Sequence, residues 1–216
     1  ALTRADAAAN DESSNATGDL DLVTGGPLAI AGAGREATTI STALANRLIH
    51  QTTTTALTIE RLTLDGGDIA ADDGVQESWG AALRTLGGAV TLDRVRLTGG
   101  VAAIGGAVYT ANSTTLLIED SLIDGNVARA GGALAISNST AATIERSMLR
   151  DNEARAGAGQ DAEGGAIRHA AQTGSLTIVD SELTGNEAVN TGAGAADWAS
   201  GGAIRASGPL TIERSL

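Results

Sequence analysis

Asp65, Asp68, Asp72 and Asp73 stand in one short stretch, Asp65-Gly66-Gly67-Asp68 followed by Asp72-Asp73. Carboxylate oxygens at this density are the ligands calcium takes, so these residues form a candidate cation site. They lack the spacing of an EF-hand loop and of a Gly-Gly-x-Gly-x-Asp solenoid, and a solvated acidic loop accounts for them more simply. A second acidic set, Glu60, Asp93, Glu119 and Glu145, recurs at similar sequence contexts and is followed by Arg61, Arg94, Asp120 and Arg146. Such a set could line a groove for a cation or a charged polysaccharide. It reads equally as a solvated face whose arginines offset its carboxylates, since exposed charge pairs cost or contribute little. Trp79 and Trp198 each lie just before a strand-like segment in a unit that carries an insertion. An exposed indole can stack on a sugar or anchor a protein partner, and a loop packed down on the fold is the competing reading.

Catalytic constellations are sparse. The only histidines, His50 and His169, lie outside any Gly-His-Gly context, so a polygalacturonase-like site is not formed. A lyase-like site would need a basic residue beside cation-binding carboxylates. Arg94 or Arg96 near Asp93 and Glu119 is the nearest approach, and a ladder of ion pairs explains them as well. There is no Gly-x-Ser-x-Gly, and Gly32-Ala33-Gly34 lacks the third glycine of a phosphate-binding turn. The outward Thr-x-Glu pattern also lacks the Thr-x-Thr ladders that ordering water as ice would need.

Composition narrows the partners. The 216 residues carry a net charge of -12, and all 14 basic residues are arginine. That balance opposes nucleic acid and anionic membranes as partners. The absence of cysteine removes disulfides, thiolate metal sites and thiol catalysis. No run approaches the roughly 18 apolar residues of a membrane span. With Phe absent and aromatics at 1%, branched aliphatics must fill a narrow interior.

A repeat supplies the elements that position these residues. Leu57-Thr58-Ile59-Glu60-Arg61, Val90-Thr91-Leu92-Asp93-Arg94, Leu116-Leu117-Ile118-Glu119-Asp120, Ala142-Thr143-Ile144-Glu145-Arg146, Leu176-Thr177-Ile178-Val179-Asp180 and Leu210-Thr211-Ile212-Glu213-Arg214 are copies of one segment. Their anchors Ile59, Leu92, Ile118, Ile144, Ile178 and Ile212 recur at intervals of 33, 26, 26, 34 and 34. Five residues on stand Leu64, Leu97, Ile123, Leu149 and Leu183, and eight on stand Asn126, Asn152 and Asn186 in the later copies. A second strand-like piece follows at Gly105-Gly106-Ala107-Val108 and its equivalents after Gly131, Gly164 and Gly201. Short alternating runs punctuated by Gly and Asn read as strands and turns. A unit of about 26 residues with two or three strands cannot bury its own apolar face, whereas stacked units can. The pattern therefore predicts an all-β, right-handed parallel β-helix of about 7 coils with loop insertions. Asn126, Asn152 and Asn186 should form a hydrogen-bonded ladder, with residues 153–163 and 187–200 bulging from one side. Residues 1–25 are expected to be an N-terminal cap or lead-in. The β-helix should occupy 26–216 and continue, or be capped, beyond 216.

The Gly-Gly-Ala-aliphatic pieces, together with Ile123-Asp124-Gly125-Asn126, Leu149-Arg150-Asp151-Asn152 and Leu183-Thr184-Gly185-Asn186, resemble the repeats of polymorphic outer-membrane autotransporters. In that family Phe is preferred where this chain has an aliphatic residue. Ala7-Ala8-Ala9-Asn10, Ile30-Ala31-Gly32-Ala33-Gly34 and Thr38-Thr39-Ile40 resemble the start of secreted bacterial β-helix proteins of the CSLREA type, whose cysteine is missing here. Together the two resemblances span nearly the whole chain. They imply a bacterial protein, secreted or held at the cell surface in association with the outer membrane. They also imply an adhesive or structural passenger or stalk without catalysis or a required cofactor, calcium excepted. The alternatives are a polysaccharide-binding or polysaccharide-cleaving β-helix, and an accessory subunit of a larger assembly. Partners of the first reading would be a glycan or a host or neighbouring surface protein. The third would place a protein partner over the Leu210–Leu216 edge.

Overall fold

The computed structural model describes residues 19–23, 25–42, 46–69, 78–112, 115–138, 140–170, 173–192, 194 and 197–216. They form a parallel β-helix, consistent with the right-handed form, whose coils are four-sided. The reason is local. Each coil is interrupted by corners of two or three residues that leave room for strands of only three to five residues, as in Thr115–Glu119, Leu122–Asp124, Val127–Ala130 and Leu134–Ser137. Equivalent strands stack into four parallel sheets, here faces I to IV. Face I runs from Leu20–Leu22 through Val108–Thr110 to Ile204–Ala206, and face II from Leu28–Ala31 through Thr115–Glu119 to Leu210–Glu213. Face III runs from Thr39–Thr42 to Glu182–Thr184, and face IV contains Val101–Ile104, Val127–Ala130, Glu153–Ala156 and Glu187–Asn190.

Parallel pairing without slip puts like on like. Ile30, Ile59, Leu92, Ile118, Ile144, Ile178 and Ile212 share one column of face II. Ile40, Leu64, Leu97, Ile123, Leu149 and Leu183 share one of face III. The interior members are fully buried, each contributing about 1.5–3 kcal/mol. A one-residue slip would turn a whole column to solvent, so these columns also fix the register. At the last rung Ile212 is 51% and Leu216 92% exposed.

Two corners explain the sequence signature. Between faces II and III, Arg61, Arg94, Asp120, Arg146, Asp180 and Arg214 all adopt left-handed backbone, with φ from 47 to 55°. Before face I, the Gly-Gly pair answers two separate demands. Gly131 has φ 65°, and a Cβ on Gly132 would collide with the carbonyl oxygen of Gly165 one coil away. The insertions leave and rejoin face IV within a single strand position. Val127 and Ala128 pair with Glu153 and Ala154, while Ala130 pairs with Glu163 beyond the bulge.

Candidate functional site

The carboxylate column sits where the period places it. Glu60, Asp93, Glu119 and Glu145 are consecutive register partners on the outer side of face II. The left-handed corner residues turn their side chains back onto that column. Arg61 Nη2 donates to Glu60 Oε1 at 2.7 Å and Arg94 Nε to Asp93 Oδ1 at 3.0 Å. Arg146 donates to Asp120 Oδ1 and to Glu119 Oε1, both at 3.0 Å, and also contacts Glu145. Arg214 donates to Asp180 Oδ1 at 2.6 Å, and that hydrogen bond holds the Asp180 carboxyl below its ordinary range. The wall is an alternating lattice of ion pairs, not a row of free acids.

Face III carries a trough of about 630 Å³ floored by Leu122 and Met148. One wall is the Arg146 corner, and Arg35 closes one end. The loop between face II and face III is longer in the first coil, spanning residues 32–38 where later coils use two residues, and it overhangs the trough there. Beside the floor, Arg96 holds Asp124 through two hydrogen bonds of 2.9 and 2.8 Å, and Arg150 adds a third at 3.4 Å. Burial opposes ionisation of Asp124, yet these donors outweigh it and keep the carboxyl below its usual value.

The two tryptophans separate. Trp79 is half-buried and its ring lies 4.7 Å from that of Tyr109, tilted by 47°. With Leu86 and Ile104 it covers Tyr109, Ala111 and Ala135 on the outside of face I. Trp198 is 67% exposed at the end of the last insertion.

Two Asn bonds and a second column make up structural ladders. Asn126 Nδ2 donates to Asn152 Oδ1 at 3.0 Å, and Asn152 Nδ2 to Asn186 Oδ1 at 2.9 Å. Ser121, Ser147, Ser181 and Ser215 repeat the device, each hydroxyl accepting the backbone N–H of the preceding coil at 3.0–3.1 Å. These side chains are committed to the stack, and Ser121, Ser147 and Ser181 also line the trough.

Of the candidate calcium ligands, Asp65 is exposed on face III in register with Ser41 and Thr98, and Asp68 bridges to Val101. Asp72 and Asp73 lie outside the described residues. Among the described residues, converging metal-type ligands occur instead at Asp19, Asp21 and His50, all buried, with ligand atoms within 4.8 Å of one another. Sequence reasoning missed this group. Asp21 and His50 occupy outward positions of face I, in one column with Arg84 and Tyr109. His50 Nδ1 lies 3.3 Å from Asp21 Oδ1, and Arg47 Nη1 lies 3.3 Å from Asp19 Oδ2. Arg47 Nε also donates to the Gly80 carbonyl at 3.0 Å. Arg47, buried like Asp19, supplies a positive charge to that buried carboxylate, and the buried Arg84 follows His50 in the same column. The Arg47–Asp19 ion pair and the His50–Asp21 contact tie the group together within the protein.

His169 is the other histidine. It is fully buried in the interior column between Ile136 and Ala206, and burial lowers its pKa. Among the described residues no helix is long and apolar enough to cross a membrane. No family model matches the chain, and no curated protein or solved structure matches it.

Proposed function

We propose that this chain is a noncatalytic β-helical stalk or passenger segment of a bacterial surface or secreted protein, with a structural or adhesive role. The observation that carries this reading is the lattice on faces II and III. Arg61, Arg94, Arg146 and Arg214 are spent on the carboxylates beside them, so the wall offers no acid and base aimed across a cleft. General acid–base chemistry needs two groups of different pKa free to exchange protons with a substrate. A paired, solvated lattice instead resists pH and keeps an extended rod soluble. In cells of the source organism, an antibody to the chain should label intact cells or the culture medium. Signal found only after lysis would overturn the surface assignment.

The trough on face III favours a second reading, polysaccharide binding or cleavage, because Arg150 lines it with the apolar Leu122 and Met148 and reaches Asp124, which Arg96 also holds. Release of new reducing or unsaturated ends from polygalacturonate or alginate would establish it. An Asp124→Asn variant that releases ends at the unchanged rate would remove Asp124 from that chemistry.

A further inference from the structure

We propose that Trp198 is a stacking platform for a neutral, β-linked oligosaccharide whose pyranose substituents are equatorial, of the glucan or chitin class. The ring stands free while its backbone is pinned from both sides. Trp198 N–H donates to Asp161 Oδ1 at 3.1 Å, and its carbonyl accepts from Ala162 N–H at 2.9 Å and Asn190 Nδ2 at 3.2 Å. Next to it, Asp197 accepts from Gly159 N–H at 2.7 Å and Gly194 N–H at 2.8 Å. Asn190 also donates to the Gln160 carbonyl at 2.6 Å. The two insertions of adjacent coils are therefore joined into one base, and that base serves to hold an indole in water. A side chain of this size forgoes the contribution that burial would bring, and Trp79 shows the alternative in the same fold by packing on Tyr109. A ring carried on a fixed backbone leaves less ordering to be met on binding.

The surroundings select the ligand. The other large exposed hydrophobics, Leu20, Val23, Leu28, Leu210, Ile212 and Leu216, belong to the coils at the two ends of the described stack and not to the insertion loops. A protein interface would want an apolar patch around its anchor. A pyranose with equatorial hydroxyls needs less: one flat C–H face to lie on one indole, and polar groups at the rim. The second oxygen of Asp161, whose first accepts the Trp198 N–H, is such a group. Asp161 and Asp197 stand on the same base, and although Arg129, which donates to the Asp161 carbonyl at 3.4 Å, offsets one of them, the remaining charge on a chain of net charge -12 disfavours uronates and sulfated sugars.

This site goes beyond the stalk reading, which stands with or without it. The test titrates the full chain with cellohexaose and chitohexaose, and with polygalacturonate as the charged comparator, following tryptophan fluorescence. Trp79, packed on Tyr109, supplies a constant background. At least one neutral oligosaccharide should shift the emission. Trp198→Ala should weaken that binding about tenfold or more, and Trp198→Tyr should stay within about threefold of the parent, since stacking survives a smaller ring. Both variants should melt close to the parent, because the ring is 67% exposed. Silence toward both neutral oligosaccharides by a folded chain overturns the proposal and leaves the stalk reading untouched. So does binding that survives Trp198→Ala, or preference for polygalacturonate.

Discussion

Asn126 donates its side-chain amide to Asn152 Oδ1 at 3.0 Å, and the same oxygen accepts the Asn126 backbone N–H at 3.1 Å. One buried atom thus closes the corner of the coil before it, while Asn152 Nδ2 reaches back to the Ile123 carbonyl at 2.9 Å. Asn152→Ala removes all of these at once and leaves backbone groups in a site without water. Such a substitution should cost about 2–4 kcal/mol, read as a lower urea midpoint. Asn186→Ala, at a half-buried position, should cost less because water can replace what it loses.

The glycine corner makes a steric prediction. Gly132 faces the Gly165 carbonyl and the Glu153 backbone, neither of which can move without breaking the stack. Gly132→Ala should destabilise by about 3 kcal/mol or more, or abolish folding. Gly157→Ala is the control, since an added Cβ there meets no atom within 4 Å. It should leave the melting temperature essentially unchanged.

The columns of Ile59, Ile118 and Ile144 and the Asn ladder were legible because a stacked fold writes each contact into the sequence as a period. The corner at Arg61, Arg94 and Asp120 was legible as a charge column but not as a left-handed turn, since arginine there carries none of the usual Gly or Asn signal. The Asp19, Asp21 and His50 group was illegible for a different reason. Asp19 and Asp21 lie in the stretch read as a cap and His50 lies outside the repeated segments, so no period joined the three. Trp79 and Trp198 look alike in sequence, yet only Trp79 has an aromatic partner within reach, Tyr109. A pairwise contact of that kind has no period.

The charge lattice should contribute little to stability despite its density. Arg146 touches three carboxylates, but its side chain is 44% exposed and shares its hydrogen bonds with water. Arg146→Gln should move the urea midpoint far less than Asn152→Ala does, and the small difference should shrink as salt is raised to about 0.5 M. A loss comparable to that of Asn152→Ala would mean that the lattice, and not the buried ladders, holds the coils together.

His169 sets the acid limit of the interior. Among the described residues neither ring nitrogen has a hydrogen-bond partner, and its column neighbours are Ile136 and Ala206. Burial lowers the folded pKa below 6.5, the value the unfolded chain retains. Between those two values the unfolded state binds the extra proton, so stability is full above about pH 6.5 and declines as the pH falls through the folded pKa. His169→Leu removes both the unpaired nitrogens and the proton. It should raise stability at pH 7.5 by about 1–2 kcal/mol, as an apolar residue of similar volume relieves an unsatisfied polar group. The gap between variant and parent should then widen from pH 6.5 to pH 5. A gap that stays constant across that range would show that His169 is not kept neutral by the fold.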